Sequence, residues 1–84
     1  MSRGEKLLAR MRASKADWSA EEVVRVYLWA GFEVEQGAKH IVVQHPIHPA
    51  LITTVRRGNP LPTGYIETLL ELVDELGRLE GGER

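Results

Sequence analysis

The sequence predicts a small α+β protein in which helices cover one face of a three-stranded antiparallel sheet. Apolar residues recur with the 3.6-residue period of a helix at both ends of the chain, whereas the middle alternates with the two-residue period of a strand. The chain has 84 residues, enough for one modest core. We therefore expect a single domain over residues 1–84, with its core at about 11–77.

A short N-terminal helix is predicted near Gly4–Ala13, because apolar residues lie there at helical spacing. The segment around it is basic, as is typical of a solvated helix face. The apolar residues are Leu7, Leu8 and Met11.

The second helix has the clearest start signal in the chain. Ser19 and Glu22 have the spacing of a capping box, and Trp18 precedes them where it can pack against the first turn. We expect this helix over Ala20–Ala30, ended by Gly31 in a left-handed conformation. Its apolar face is expected to comprise Val23, Val24, Tyr27, Leu28 and Ala30.

Three strands are predicted in the middle of the chain. The first is expected over Phe32–Gln36, and a hairpin turn at Gly37–Lys39 leads to the second over His40–His45. The third is expected over Leu51–Val55, which is rich in β-branched residues. Two prolines interrupt the loop before it, since proline cannot donate a ladder hydrogen bond.

The last helix is predicted from Thr63 or Tyr65, where the 3.6-residue period returns. Acidic residues fill its outward face, and Gly77 and the Gly81-Gly82 pair mark its end. The predicted order is therefore α-α-β-β-β-α. The apolar face of this helix comprises Ile66, Leu69, Leu70, Val73 and Leu76.

Charge is strongly segregated along the chain, although the formal net charge is only -1. No carboxylate lies between Gln36 and Ile66. A surface without acids but with imidazoles and cations suits a phosphate-bearing ligand. That stretch contains His40, His45, His48, Lys39, Arg56 and Arg57.

The composition excludes several classes of protein. The chain has no cysteine, so it has no disulfide framework, thiolate nucleophile or zinc-thiolate site, and we expect a reducing cytoplasm. No apolar run approaches the roughly 20 residues that span a bilayer, and the basic N-terminal segment lacks the apolar core of a signal peptide. We expect no membrane association.

His40 is the residue best placed for chemistry. Strand alternation puts Ile41 and Val43 on one face and His40 on the other. The apolar pair marks the core side, so we expect His40 to be exposed beside Lys39. Imidazole ordinarily titrates near neutral pH, which suits a general base that takes the proton of a ribose 2′-OH. A purely structural role stays open.

The remaining histidines and arginines allow two interpretations each. His45 and His48 either join His40 as metal ligands or are turn residues, and we expect no metal because no carboxylate lies nearby in sequence. Arg56 and Arg57 either grip a phosphate through their guanidinium forks or form a solvated charged turn.

A set of short motifs runs through the chain in a recognisable order. They are Asp17-Trp18 before the second helix, Gly31-Phe32 after it, Gly37-Ala38-Lys39-His40 with His45-Pro46 downstream, and Pro60-Leu61-Pro62 leading into Tyr65-Ile66. Together, over about Met11–Leu76, they resemble the HicA family of bacterial toxins, also called the YcfA-like family.

This resemblance implies a double-stranded-RNA-binding-like fold and a toxin that cleaves mRNA without a metal or other cofactor. It also implies a partner, a HicB-like antitoxin that docks over the active face. The family's catalytic histidine falls on His40 if the turn has one extra residue, whereas Lys39 takes that position without the gap. We expect an endoribonuclease with His40 as general base and with Lys39, Arg56 and Arg57 on the phosphate. The alternative is a non-catalytic RNA-binding or protein-interaction module of the same fold.

Overall fold

The computed structural model describes residues 2–81 and has the predicted order of elements. The three strands form one antiparallel sheet in the order β1-β2-β3. The ends of the elements lie within two residues of the expected ones. The last helix continues past Gly77 to Glu80, with Gly81 as its C-cap, and Gly82 lies outside the described residues. The elements are α1 (Arg3–Ala13), α2 (Ala20–Trp29), β1 (Glu33–Gln36), β2 (His40–Gln44), β3 (Ile52–Arg56) and α3 (Thr63–Glu80).

Both ends of α2 are closed by the local motifs that the sequence predicts. The Glu22 N–H donates to Ser19 Oγ at 3.2 Å, and Glu22 Oε1 accepts from the Ser19 N–H at 2.9 Å, which completes the capping box. At the other end Gly31 has φ +98°, and the Phe32 N–H donates to Tyr27 O at 3.0 Å. This is a Schellman ending, and the Tyr27 and Phe32 rings make its usual apolar contact at 5.1 Å.

The buried face of α2 differs from the expected one. Val26 is fully buried, whereas Leu28 is 54% exposed. The buried stripe centres on Val23, Val26 and Tyr27, because α2 packs against α1 and α3 as well as against β1. Leu28 is therefore left at the margin of the core, above the edge of the sheet.

One face of the sheet supplies the core. Ile41, Val43 and Val55 are buried there and join residues of all three helices in one hydrophobic cluster. Directly paired residues of antiparallel strands share a face, so the register assigns the other residues to the opposite side. We call this side the open face: Glu33 and Glu35 of β1, His40, Val42 and Gln44 of β2, and Ile52, Thr54 and Arg56 of β3.

The loop between β3 and α3 is tied to the start of α2. The Ala20 N–H donates to Gly58 O at 2.9 Å, and the Leu61 N–H donates to Trp18 O at 2.7 Å. Trp18 is buried in the core cluster, and its indole N–H donates to Ser14 O at 2.8 Å. The segment before α2 is thus held on both sides.

An exposed ion pair joins α1 to α3. Arg12 Nη2 lies 2.6 Å from Asp74 Oδ1. The hydrogen bond from Arg12 holds the pKa of the Asp74 carboxyl below its usual value and raises the pKa of the guanidinium. The pair is half-exposed, so solvent screens most of its contribution.

Candidate nucleic-acid interface

His40 lies at the start of β2, exposed on the open face as expected. Its direct cross-strand partner is Arg56 at the end of β3. The His45 N–H donates to Leu51 O, and hydrogen-bonded pairs alternate with non-bonded ones along an antiparallel ladder. His40 and Arg56 therefore form a non-bonded pair, the kind in which Cα atoms approach to about 4.5 Å and side chains lie closest.

The turn before His40 depends on a glycine. The Gly37 N–H donates to His40 O at 2.9 Å. A Cβ atom on residue 37 would lie 2.6 Å from the same oxygen, which no real side chain tolerates. Lys39 is exposed in this turn, directly before the histidine. His40 and Arg56 thus occupy one corner of the open face, and Lys39 lies in the turn that leads into it.

Arg57 is not at this corner. Arg57 directly follows β3 and lies on the other side of the sheet, where it lines a shallow depression with Val24 and Ile41. Its Nη2 donates to Gly37 O at 2.6 Å. The structure therefore separates the two arginines that adjacent sequence positions had grouped, and it gives Arg57 a contact that braces the turn.

Acidic side chains also lie on the open face. The register pairs Glu33 with Gln44 and Glu35 with Val42. The stretch without carboxylates is continuous in sequence, but the hairpin places β1 and its glutamates directly beside it. Negative charge therefore lines the β1 edge of the open face, whereas Arg56 lies on β3 at the opposite edge.

His45 faces the core, on the side opposite His40. It is 4% exposed, and its ring meets the Phe32 ring edge-on with centroids 5.2 Å apart. Its Nδ1 accepts the N–H groups of Ile47 at 3.2 Å and His48 at 3.3 Å. This side chain shapes the loop after β2 and lies away from the open face.

A third residue, distant in sequence, joins His45 and His48. Glu80 at the end of α3 places its Oε2 3.3 Å from His48 Nε2 and 3.9 Å from His45 Nε2. Within residues 2–81, this is the one group of three such side chains close enough together to be compared with a metal site. No carboxylate lies near these histidines in sequence, but α3 brings Glu80 back to the loop in the folded chain.

The protonation of His45 argues against a metal ion in this cluster. Because Nδ1 accepts two backbone N–H groups, the neutral ring carries its proton on Nε2, toward Glu80. A histidine that binds a metal through one nitrogen normally donates a proton from the other. The donor set therefore suits a polar contact between α3 and the β2–β3 loop better than it suits a metal centre.

Comparisons with family models, with curated proteins and with solved structures found no match to this chain. No helix within residues 2–81 is both long and apolar enough to cross a membrane.

Proposed function

We propose that the chain is a HicA-like toxin, an endoribonuclease that cleaves mRNA without a metal and uses His40 as its general base. The observation that carries the proposal is the cross-strand pair of His40 and Arg56 on the open face. It puts a group able to accept a proton beside a fixed positive charge, with Lys39 next in the chain. The double-stranded-RNA-binding-like fold and the HicB-like antitoxin belong to the same proposal.

The reaction is an internal transfer at phosphorus. His40 takes the proton of a ribose 2′-OH, the 2′-oxygen attacks the adjacent phosphorus, and the bond to the 5′-oxygen breaks. The products are a 2′,3′-cyclic phosphate and a 5′-OH. His45 is buried on the other face and cannot protonate the leaving oxygen, so water supplies that proton, and the hydroxide formed takes back the proton that His40 accepted. Arg56 and Lys39 offset the negative charge that builds on the phosphate oxygens.

The charges of the open face predict the path of the bound RNA across the sheet. Glu33 and Glu35 repel a phosphate backbone, whereas Arg56 and Lys39 attract it. The RNA is therefore expected to run along β3 and the turn, and to avoid β1.

The same glutamates favour a second candidate, a non-catalytic module that uses the open face for a protein. Val42 is paired with Glu35, and the exposed Ile52 lies on β3 of the same face. Such a mixture of apolar and charged side chains is typical of a protein interface. An active ribonuclease and such a module differ in one observable, the breaking of the RNA chain.

The test is cleavage of a labelled single-stranded RNA by purified protein in excess EDTA. We expect fragments that end in 2′,3′-cyclic phosphate, identified by mass spectrometry. His40→Ala is expected to lower the rate by about 10² to 10⁴, the usual contribution of a general base, and to leave the melting temperature nearly unchanged because His40 is exposed.

Two controls accompany this experiment. His48→Ala removes another imidazole away from the proposed site and should cleave at the wild-type rate. An RNA with 2′-deoxy sugars should bind but stay intact. If the wild-type protein binds RNA without cleaving it, the result supports the non-catalytic module. If cleavage stops in EDTA, the metal-free mechanism is wrong.

A further inference from the structure

β1 is an edge strand with one side of its backbone unused by the sheet. Within residues 2–81 its strand partner is β2 alone. The Gly37 N–H pairs with His40 O, so the alternation of the ladder directs the main-chain groups of Glu33 and Glu35 toward β2. The N–H and C=O groups of Val34 and Gln36 consequently point outward, where an added strand can bind them.

An apolar groove lies beside this edge. It has a volume of about 480 Å³ and combines the end of α2 with β1 and β2. Leu28 lies at the margin of the core and contributes an exposed apolar side chain to the groove. Phe32, Val34 and Val42 also line it. The groove can take an aliphatic side chain from a strand that lies along β1.

Charge determines which strand can add there. Glu33 and Glu35 stand on the open face at alternate positions of the edge. A second copy of this chain would place its own glutamates against them, and like charges directly opposite are destabilising. The glutamates thus protect the edge from self-association and favour a strand with cations at the matching alternate positions.

We propose that β1 is the docking edge for an extended basic segment of a partner protein, which adds to the sheet as a fourth strand. Its lysines or arginines lie opposite Glu33 and Glu35, and the aliphatic residue between them lies opposite Val34 and enters the groove. Main-chain hydrogen bonds supply affinity, and the alternating side chains supply specificity. The edge excludes His40 and Arg56, so this inference is independent of RNA cleavage.

The test is a titration followed by two-dimensional ¹H–¹⁵N NMR of the whole protein without RNA. The probe is a capped pentapeptide, Lys-Val-Lys-Val-Lys. We expect the amide signals of Val34 and Gln36 to shift together with those of the groove, and these two amides to exchange more slowly with solvent when the peptide is bound.

Matched peptides and variants separate strand addition from general attraction. The same peptide N-methylated at its internal amides keeps its charges but should bind much more weakly. It should also leave the exchange of the Val34 and Gln36 amides unchanged. The Glu33→Gln, Glu35→Gln double variant should bind about fivefold more weakly, in line with two exposed ion pairs. The Glu67→Gln, Glu71→Gln variant of α3 removes the same charge elsewhere and should bind normally.

Three results would overturn the proposal. They are equal binding of the N-methylated peptide, equal binding of Glu-Val-Glu-Val-Glu, and chemical-shift changes centred on the acidic face of α3. RNA cleavage by the Glu33→Gln, Glu35→Gln variant is measured separately, so a failure here leaves the ribonuclease proposal intact and the reverse also holds.

Discussion

At the scale of single residues, two arginines that are adjacent in sequence make different contacts. Arg56 is the last residue of β3, and Arg57 directly follows it. Arg56 shares the open face with His40, whereas Arg57 donates to Gly37 O from the opposite side. A guanidinium that binds a backbone carbonyl of a turn orders the turn. Arg57 is thus a positioning residue for Lys39 and His40 in the proposed reaction.

Replacing each arginine is therefore expected to change a different property, either RNA binding or the cleavage rate. Arg56→Ala should weaken RNA binding and reduce the slope of log affinity against log salt by about 0.7, the value for one single-strand phosphate contact. Arg57→Ala should leave that slope unchanged and lower the cleavage rate through a disordered turn. Fluorescence anisotropy over a salt series and single-turnover kinetics measure the two effects.

Arg25→Ala, an exposed position on α2, is the control for lost positive charge. Equal losses of slope in the Arg56 and Arg57 variants would show that both side chains reach the phosphates, contrary to the contact that Arg57 makes with the turn.

Tyr27 presents a second test at this scale. It is fully buried, and its hydroxyl has no hydrogen-bond partner among the described residues. Burial also raises the pKa of the phenol far above its usual value. Because an unpaired buried hydroxyl is costly, Tyr27→Phe should increase the free energy of unfolding by about 1 kcal/mol.

Chemical denaturation of the wild type and Tyr27→Phe measures this change. Tyr65→Phe, at a half-buried position where water reaches the side chain, is the control and should be close to neutral. A destabilised Tyr27→Phe protein would mean that the hydroxyl is satisfied by an internal water.

At the scale of elements, α2 is held by its capping box independently of any function. Ser19 satisfies an N–H group of the first turn, and Glu22 satisfies the Ser19 N–H in return. Ser19→Ala should therefore lower the free energy of unfolding by about 1 kcal/mol, a typical loss for a helix cap. Thermal denaturation by circular dichroism measures it.

Glu22→Gln is the matched control for this cap, because an amide oxygen can replace the carboxylate as acceptor in the same motif. It should cost much less than Ser19→Ala. A neutral Ser19→Ala variant would indicate that the helix start is held sufficiently by its two hydrogen bonds with the β3–α3 loop, from Ala20 to Gly58 and from Leu61 to Trp18.

At the scale of the whole molecule, the ion pair of Arg12 and Asp74 links the two ends of the chain, and its effect on stability depends on pH. The folded state lowers the pKa of Asp74, so the folded protein releases this proton more readily than the unfolded chain does. The stabilisation is present above the unfolded pKa and disappears as pH falls through the folded pKa.

Asp74→Asn should consequently lower the free energy of unfolding by less than about 1 kcal/mol near neutral pH, because the pair is solvent-screened. The difference from wild type should disappear as pH falls through the folded pKa of Asp74, which lies below its usual value. Urea denaturation at several pH values measures it, with Glu67→Asn as the control for lost charge on α3. A difference that persists at the lowest pH would come from packing.

The amino-acid sequence by itself determined the order of the elements and the identity of the core side of β2. Hydrophobic period, the Ser19 capping box and the glycine after α2 act within a few residues, so they can be read without knowing the fold. The exposure of His40 and the burial of Ile41 and Val43 follow from the same alternation. Local rules therefore placed the candidate base on the correct face.

Only the tertiary structure decided what surrounds that base. Periodicity states which side of an element is buried, but it does not state which distant residues become neighbours. The hairpin put Glu33 and Glu35 beside a stretch free of acids, and α3 returned Glu80 to His45 and His48. The contact between Arg57 and Gly37 and the exposure of Leu28 likewise arise from packing between elements. Charge and chemistry at the surface depend on these pairings, which form through strand register and helix packing rather than through local sequence.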